Sequence, residues 1–358
     1  MEADARLGLA PAGSPAVSSG PATPAPVLGA GWDFLLLGPG ATLLVSAAYL
    51  GLRAVGLGGA ASALVAGLSL LAVGPHYAAT YRRAFTSREV LRAHPVVTLV
   101  APVLLVAAAM LAVRAPATIG PFYFLGYVAW SGYHYSGQSL GLAMLFPLRQ
   151  RARLDAREKR LLALPLYVSW LASLVGLAGA QAAARNPAYR IVRETFAPVT
   201  LPHAALLALV LPCLLSTLGV AVVARERRRR GVPLPLACYG VIGAQMIWFG
   251  FGLFFPFFNI VLVPIFHSLQ YLALTGWHHA RGERSRGLGA FAAYVSSVLV
   301  LGLVINPGLL VLFVPGGGSP RADVAAAAVI SAINLHHFLM DGRIWRMREP
   351  KVARAFAA

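Results

Sequence analysis

Apolar runs of about 20 residues recur along the chain from Trp32 onward, each long enough for a helix to cross a bilayer core of roughly 30 Å. The pattern predicts an all-α fold, a polytopic transmembrane helical bundle. We expect about ten spans, near residues 32–52, 60–81, 94–114, 119–147, 161–183, 201–224, 235–255, 257–279, 289–313 and 323–344.

Composition excludes the soluble enzyme classes. Of the 358 residues, 58% are hydrophobic and only 12% are charged. A soluble domain carries about 25% charged residues, so this chain lacks the charge needed to cover a water-exposed surface.

The basic residues predict the orientation of the bundle. The formal charge of +18 arises from 30 Lys and Arg against 12 Asp and Glu. With the predicted spans, 23 basic residues fall on the side of the N-terminal tail and six on the other side. The positive-inside bias then places both termini in the cytoplasm, and we expect a multi-pass protein of a bacterial inner (plasma) membrane. The Arg227–Arg230 run is interpreted as a solvated loop beside membrane lipid, so no nucleic-acid partner is predicted.

Three regions are expected along the chain. Residues 1–30 are rich in Pro, Ala and Gly and predict a disordered cytoplasmic tail. Residues 31–346 form the transmembrane domain, and residues 347–358 form a short basic cytoplasmic tail.

Histidines are the chemically informative residues. Seven of the nine lie within or at the end of four spans that run toward the cytoplasm. Ionisable side chains inside a membrane are costly and by default indicate a functional site. Asp341 follows His337 by four residues, a spacing at which two side chains meet on one helix face. The candidate metal ligands are His76, His134, His267, His278, His279, His336, His337 and Asp341.

The distance from each histidine to the next arginine predicts two depths. His76 and His336 precede an arginine by six and seven residues, which corresponds to about 10 Å. His134 and His267 precede one by 15 and 14 residues, which corresponds to about 21–22 Å. We therefore expect a shallow group and a deeper pair of imidazoles.

Four further polar side chains lie close in sequence to these histidines. Gln138 follows His134 by four residues, and the others are two aromatic hydroxyls and an amide. They are candidates to orient a substrate or oxygen: Tyr135, Gln138, Tyr271 and Asn334.

The segment Phe266-His267-Ser268 resembles the Trp-His-Ser segment of the Brp/Blh family of carotene-cleaving dioxygenases. That family has a second histidine four residues later, where this chain has Tyr271. The resemblance implies a helical membrane fold in which histidines from several helices hold a non-haem iron.

The leading hypothesis is a membrane oxidoreductase that uses non-haem iron, mononuclear or dinuclear, to activate O2. Its substrate would be a hydrophobic small molecule such as an isoprenoid, a carotenoid or an acyl chain, and an electron-donor protein is a further expected partner. Zinc, copper or haem are alternative cofactors. A metal-ion or proton transporter, a haem-binding electron carrier and a metal-free transferase remain alternative functions.

Overall fold

A computed structural model describes residues 26–150, 152, 154–178, 187–196, 201–282, 287–305 and 320–345. Every regular element in those ranges is helical, which confirms the predicted all-α class. Residues 1–25 and 346–358, which make up most of the two predicted tails, lie outside the described residues.

Thirteen α-helices are described in these ranges. They are α1 (Ala30–Trp32), α2 (Gly40–Ala54), α3 (Gly58–Thr86), α4 (Arg88–Ala93), α5 (Ala101–Arg114), α6 (Gly120–Arg149), α7 (Ala156–Ala178), α8 (Pro187–Phe196), α9 (His203–Arg229), α10 (Leu236–Phe254), α11 (Val263–Gly282), α12 (Gly287–Val304) and α13 (Pro320–Ile344). Short π-helical segments precede α5 and α11, at Val96–Val100 and Phe258–Leu262.

Eight of the described helices are long and apolar enough to cross a membrane. A ninth span results if Ala30–Leu37 and Gly40–Ala54, which meet at a bend of 55°, form one broken helix. The 30-residue α6, which corresponds to the predicted fourth span, is not among them because polar residues along its length lower its hydropathy. The chain is thus consistent with a multi-pass membrane protein, while the count of ten and the side of the termini stay predictions.

The helices separate into an outer set and a central set. In the most apolar stretches of α9 and α12, only 17% and 11% of the residues are buried. In the corresponding stretches of α11 and α13, 61% are buried. The predicted histidine-bearing spans correspond to α3, α6, α11 and α13, and two of these four helices, α11 and α13, are therefore central. Large apolar side chains on α9 and α12 face outward, as a lipid-facing surface requires.

The C-terminal ends of the four histidine-bearing helices lie together. Arg149 at the end of α6 and Arg281 of α11 both approach the ring of Trp277, with Cζ atoms 5.2 and 4.9 Å from its centroid. Arg83 of α3 lies 3.9 Å from the ring of Trp345, which follows α13 directly. This end of the bundle is called the arginine end below. The shared direction of the four helices agrees with the pattern of basic residues in the sequence.

A glycine permits α3 and α12 to pack closely beside the first of these histidines. A Cβ atom placed on Gly302 would lie 2.4 Å from the backbone nitrogen of Pro75. Only a residue without a side chain allows this approach, because the neighbouring atoms belong to the backbone of α3. The position of His76, the next residue after Pro75, therefore depends on Gly302.

Candidate metal centre

Four imidazoles from four different helices meet inside the bundle. His76 of α3, His134 of α6, His267 of α11 and His337 of α13 each offer one ring nitrogen, and these four atoms all lie within 4.8 Å of one another. The rings of His76 and His337 are 4.3 Å apart, and those of His134 and His267 are 4.9 Å apart. Four of the eight predicted ligands are thus brought to one place, called the histidine cluster below.

The histidine cluster is buried, yet most of its nitrogens have no hydrogen-bond partner. His76, His267 and His337 are exposed by 1%, 2% and 0%. Within the described ranges, neither ring nitrogen of these three residues is hydrogen-bonded, nor is Nε2 of His134. Leaving a buried polar atom unsatisfied costs free energy, and nearly all such atoms in folded proteins are paired. Several unsatisfied nitrogens around one point are what a metal ion would satisfy, so the cluster is compatible with metal binding.

Asp341 adds a carboxylate to the edge of the cluster. Its Oδ1 accepts hydrogen bonds of 2.9 Å from the hydroxyls of Thr80 and Tyr271. Its Oδ2 lies 3.2 Å from Nε2 of His337 and 3.9 Å from Nε2 of His134. These bonds hold one oxygen and turn the other toward the imidazoles, so the predicted meeting of His337 and Asp341 is confirmed.

Thr80 was not among the predicted site residues. Besides Asp341, its hydroxyl contacts the Tyr271 hydroxyl at 2.7 Å. Its one signal in the sequence is its position four residues after His76, on the same face of α3. A threonine in an apolar helix usually bonds its own backbone, so this signal alone does not indicate a site.

The other three predicted histidine ligands lie outside the cluster. The two ring nitrogens of His336 are 3.2 Å from the Tyr81 hydroxyl and 3.0 Å from the Val97 carbonyl oxygen. His278 has its Nδ1 3.3 Å from Nη1 of Arg83, and the ring of His279 stacks on Tyr294 at 3.9 Å. All three have partners elsewhere in the fold.

The predicted separation into two depths is wrong. His76, of the shallow group, and His267, of the deep pair, have ring centroids only 4.8 Å apart. The reason is that the helices extend unequally toward the arginine end. α3 continues for ten residues beyond His76, whereas α11 continues for 15 beyond His267. The next arginine in sequence is therefore not a common reference height.

The four predicted substrate-orienting residues all lie near the cluster, but three of them contact protein groups there. Tyr271 bonds Asp341 as described, and Gln138 donates a hydrogen bond of 3.0 Å to the backbone carbonyl of His267. Asn334 accepts one of 2.6 Å from the Tyr77 hydroxyl, and the Tyr77 ring lies 5.0 Å from that of His337. The ring of Tyr135 lies 4.4 Å from that of His267. In these positions they support the imidazoles.

A cavity of about 370 Å³ reaches the cluster from one side, and it is called the apolar cavity below. His134, Asp341 and Tyr271 are among the residues that line it. The rest of its lining is mainly aliphatic, aromatic and glycine residues from α6, α11 and α13. Mostly apolar walls with a few converging polar groups are typical of a site for a hydrophobic small molecule.

On the side away from the arginine end, large side chains pack against one another. They come from α3, from α10, from the π-helical segment before α11 and from the start of α11. They are called the apolar layer below: Val65, Trp248, Phe249, Phe258, Leu262 and Phe266. Trp248 and Leu262 are each 1% exposed and Phe266 is 2% exposed. Among the described residues, large apolar side chains therefore cover this side of the cluster.

Comparison of the chain with protein-family models, with curated proteins and with solved structures finds no match.

Proposed function

We propose that the protein is an integral-membrane oxidoreductase that binds non-haem iron in the histidine cluster and uses O2 to oxidise a lipid-soluble substrate. One observation carries the proposal, namely the buried, unpartnered nitrogens of His76, His134, His267 and His337 around a common point. The apolar cavity that ends at this point supports a hydrophobic substrate.

The geometry favours a bare ion over haem. Opposite imidazoles on one ion at about 2.1 Å are about 4.2 Å apart, so nitrogens within 4.8 Å of one another need only a small inward movement. The imidazole rings also contact one another edge to face, at 4.3 Å for His76 and His337. A porphyrin would have to be inserted between rings that are already in contact.

Iron suits the donor set, although zinc and copper share an affinity for imidazole. Neutral histidine with a carboxylate and an open coordination side is the pattern of non-haem iron oxygen chemistry. Bound there, the iron would supply O2 activation and electron transfer. The chain's own residues hold the ion, and Asp341 balances part of its charge. The apolar cavity positions the substrate and excludes water, and an electron-donor protein and membrane lipid are the expected partners.

The apolar layer argues against a metal-ion or proton carrier. A carrier requires polar groups that lead away from the central site toward both faces of the membrane. Here, among the described residues, the large apolar side chains of Trp248, Leu262 and Phe266 pack on the side of the cluster away from the arginine end. An enzyme needs access from one side only.

The test is elemental analysis and absorption and electron paramagnetic resonance spectroscopy of detergent-purified full-length protein. We expect about one or two iron ions per chain, and O2 uptake when a reductant and an isoprenoid or acyl substrate are added. His267→Ala and His337→Ala should each lose most of the metal. His203→Ala is the matched control, because His203 contacts Phe254 at the opposite end of the bundle.

Metal retained in full by both cluster variants would reject the metal site. Stoichiometric zinc without O2 uptake would keep the site and reject the oxidoreductase. Metal or proton flux through liposomes without substrate turnover would establish a carrier instead.

A further inference from the structure

A second cavity, of about 770 Å³, lies at the arginine end and is called the basic cavity below. Residues from five helices, α3, α4, α11, α12 and α13, contribute to its walls. Among the described residues, one carboxylate contributes to its lining, that of Glu89. Six basic side chains also line the cavity: Arg82, Arg83, His94, His278, His279 and Arg343.

Aromatic rings pack on two of these arginines without neutralising their charge. The Cζ atom of Arg83 lies 3.9 Å from the centroid of the Trp345 ring. The Cζ atom of Arg82 lies 4.9 Å from the centroid of the Tyr294 ring. Nη1 of Arg83 also lies 3.3 Å from Nδ1 of His278. In the part of the chain that the structure describes, Arg82 and Arg83 thus contact rings rather than carboxylates. A cation over an aromatic face keeps its charge, so the positive potential stays directed at the cavity.

We propose that the basic cavity binds a phosphate group. Guanidinium groups present planar, paired N–H donors that match the oxygens of a phosphate, and such charge-assisted hydrogen bonds are stronger than neutral ones. Three arginines on two helices, with histidines between them, surround a concave space suited to a compact anion. The phosphate belongs either to the headgroup of a membrane lipid or to a soluble phosphate compound.

The location of the basic cavity gives this binding a consequence for the neighbouring site. Arg343 and Trp345 line both the basic cavity and the apolar cavity. The Trp345 indole donates a hydrogen bond of 2.9 Å to the Tyr271 hydroxyl, which bonds Asp341. A phosphate bound by Arg83 would therefore be connected to the Asp341 carboxylate through the Trp345 ring and the Tyr271 hydroxyl. The binding itself does not depend on the proposed oxidoreductase function.

The test measures phosphate binding by delipidated, detergent-purified full-length protein. One arm titrates inorganic phosphate and pyrophosphate by isothermal calorimetry. The other arm counts retained phosphatidic acid and phosphatidylglycerol against phosphatidylcholine by native mass spectrometry. Binding in the first arm identifies a soluble phosphate compound, and selective retention of the anionic lipids in the second identifies a lipid headgroup.

Substitutions at the cavity separate a specific site from general attraction to basic protein. Arg83→Gln and the exposed Arg343→Gln should each weaken binding by about tenfold or more. Arg228→Gln removes the same charge from an exposed position near the end of α9, outside the basic cavity, and should change affinity less than about twofold. Arg343→Gln keeps the test valid if Arg83→Gln fails to fold.

Absence of binding in both arms would overturn the proposal. Equal weakening by Arg228→Gln and Arg343→Gln would also overturn it, because the attraction would then be general. The iron content of Arg343→Gln is expected to equal that of the wild type, so failure here is distinguishable from failure of the proposed enzyme function.

Discussion

Nε2 of His337 and Oδ2 of Asp341 lie 3.2 Å apart, yet among the described residues neither atom takes part in a hydrogen bond. The two atoms are close without the alignment of donor and acceptor that a hydrogen bond requires. Oδ1 of the same carboxylate is bonded by Thr80 and Tyr271, so Asp341 is held in place while its second oxygen stays available. This arrangement is suited to a cation lying between carboxylate and imidazole.

The availability of Oδ2 leads to a prediction for Asp341→Asn. The amide retains an oxygen for Thr80 and Tyr271 but puts an NH2 group where the cation needs a lone pair. Metal affinity should fall by about 10- to 100-fold, as measured by competition with a chelator. Asp323→Asn, in the first turn of the same helix, is the control and should leave affinity unchanged. Equal affinities for the wild type and Asp341→Asn would show that the carboxylate does not contribute to the site.

A second prediction concerns access through the apolar cavity. Gly141 lines this cavity, and a Cβ placed there meets no atom within 4 Å. Gly141→Leu should therefore fill space without disturbing the helices, and substrate oxidation should fall by about tenfold or more while iron content stays normal. Product analysis and elemental analysis of the same preparation measure both quantities.

Gly126→Leu is the matched control for this experiment. Gly126 lies on the same helix, is exposed, does not line the apolar cavity, and also has no atom within 4 Å of an added Cβ. Its variant should behave as the wild type. If Gly141→Leu turned over substrate at the full rate, the substrate would not occupy this cavity.

A third prediction follows from the contact of Gly302 with the backbone of Pro75. Gly302→Ala forces α12 away from α3, and overpacking of this kind costs about 1–3 kcal/mol of stability. Because His76 follows Pro75, iron content should decrease as well. Gly289→Ala, on the same helix with no atom within 4 Å of an added Cβ, should be neutral or slightly stabilising. Thermal melts that coincide for the two variants would contradict the close approach.

A fourth prediction concerns the stability of the arginine end. Glu158 of α7 is 1% exposed, and its Oε1 accepts a hydrogen bond of 2.7 Å from Nε of Arg227 on α9. A hydrogen bond to a charged group contributes about 1.5–3 kcal/mol, so Glu158→Gln should lower the melting temperature clearly. Glu226→Gln removes the more exposed salt bridge between Glu226 and Arg157. Such a salt bridge contributes about 0–1 kcal/mol to the free energy of unfolding. Thermal melts followed by circular dichroism in the same detergent measure the melting temperatures of both variants. Equal decreases in melting temperature would contradict the greater contribution of the Glu158–Arg227 pair.

Much of the fold follows from the sequence because each apolar run is a local signal. The common direction of the four helices that carry the cluster histidines was predictable as well, because basic residues follow each of these spans. The contact of His337 with Asp341 was also predictable, since a spacing of four residues fixes it within one helix.

Which histidines join the cluster depends on helix rotation and height, and these arise from packing between helices. His336 and His337 are neighbours that point about 100° apart on α13, so only one of them faces the centre. His76 and His267 reach the same height because α3 and α11 end at different levels. Thr80 contributes through a partner 261 positions away, and no local pattern contains that information.

The apolar layer also has a consequence for the cell. Imidazoles inside a membrane protein can relay protons. If water connected them to both faces of the membrane, protons would leak across it and lower the membrane potential. Among the described residues, packed side chains such as Trp248, Leu262 and Phe266 cover one side of the histidines and oppose a continuous chain of water molecules there. We therefore expect liposomes that contain the purified protein to hold a proton gradient as well as protein-free liposomes do.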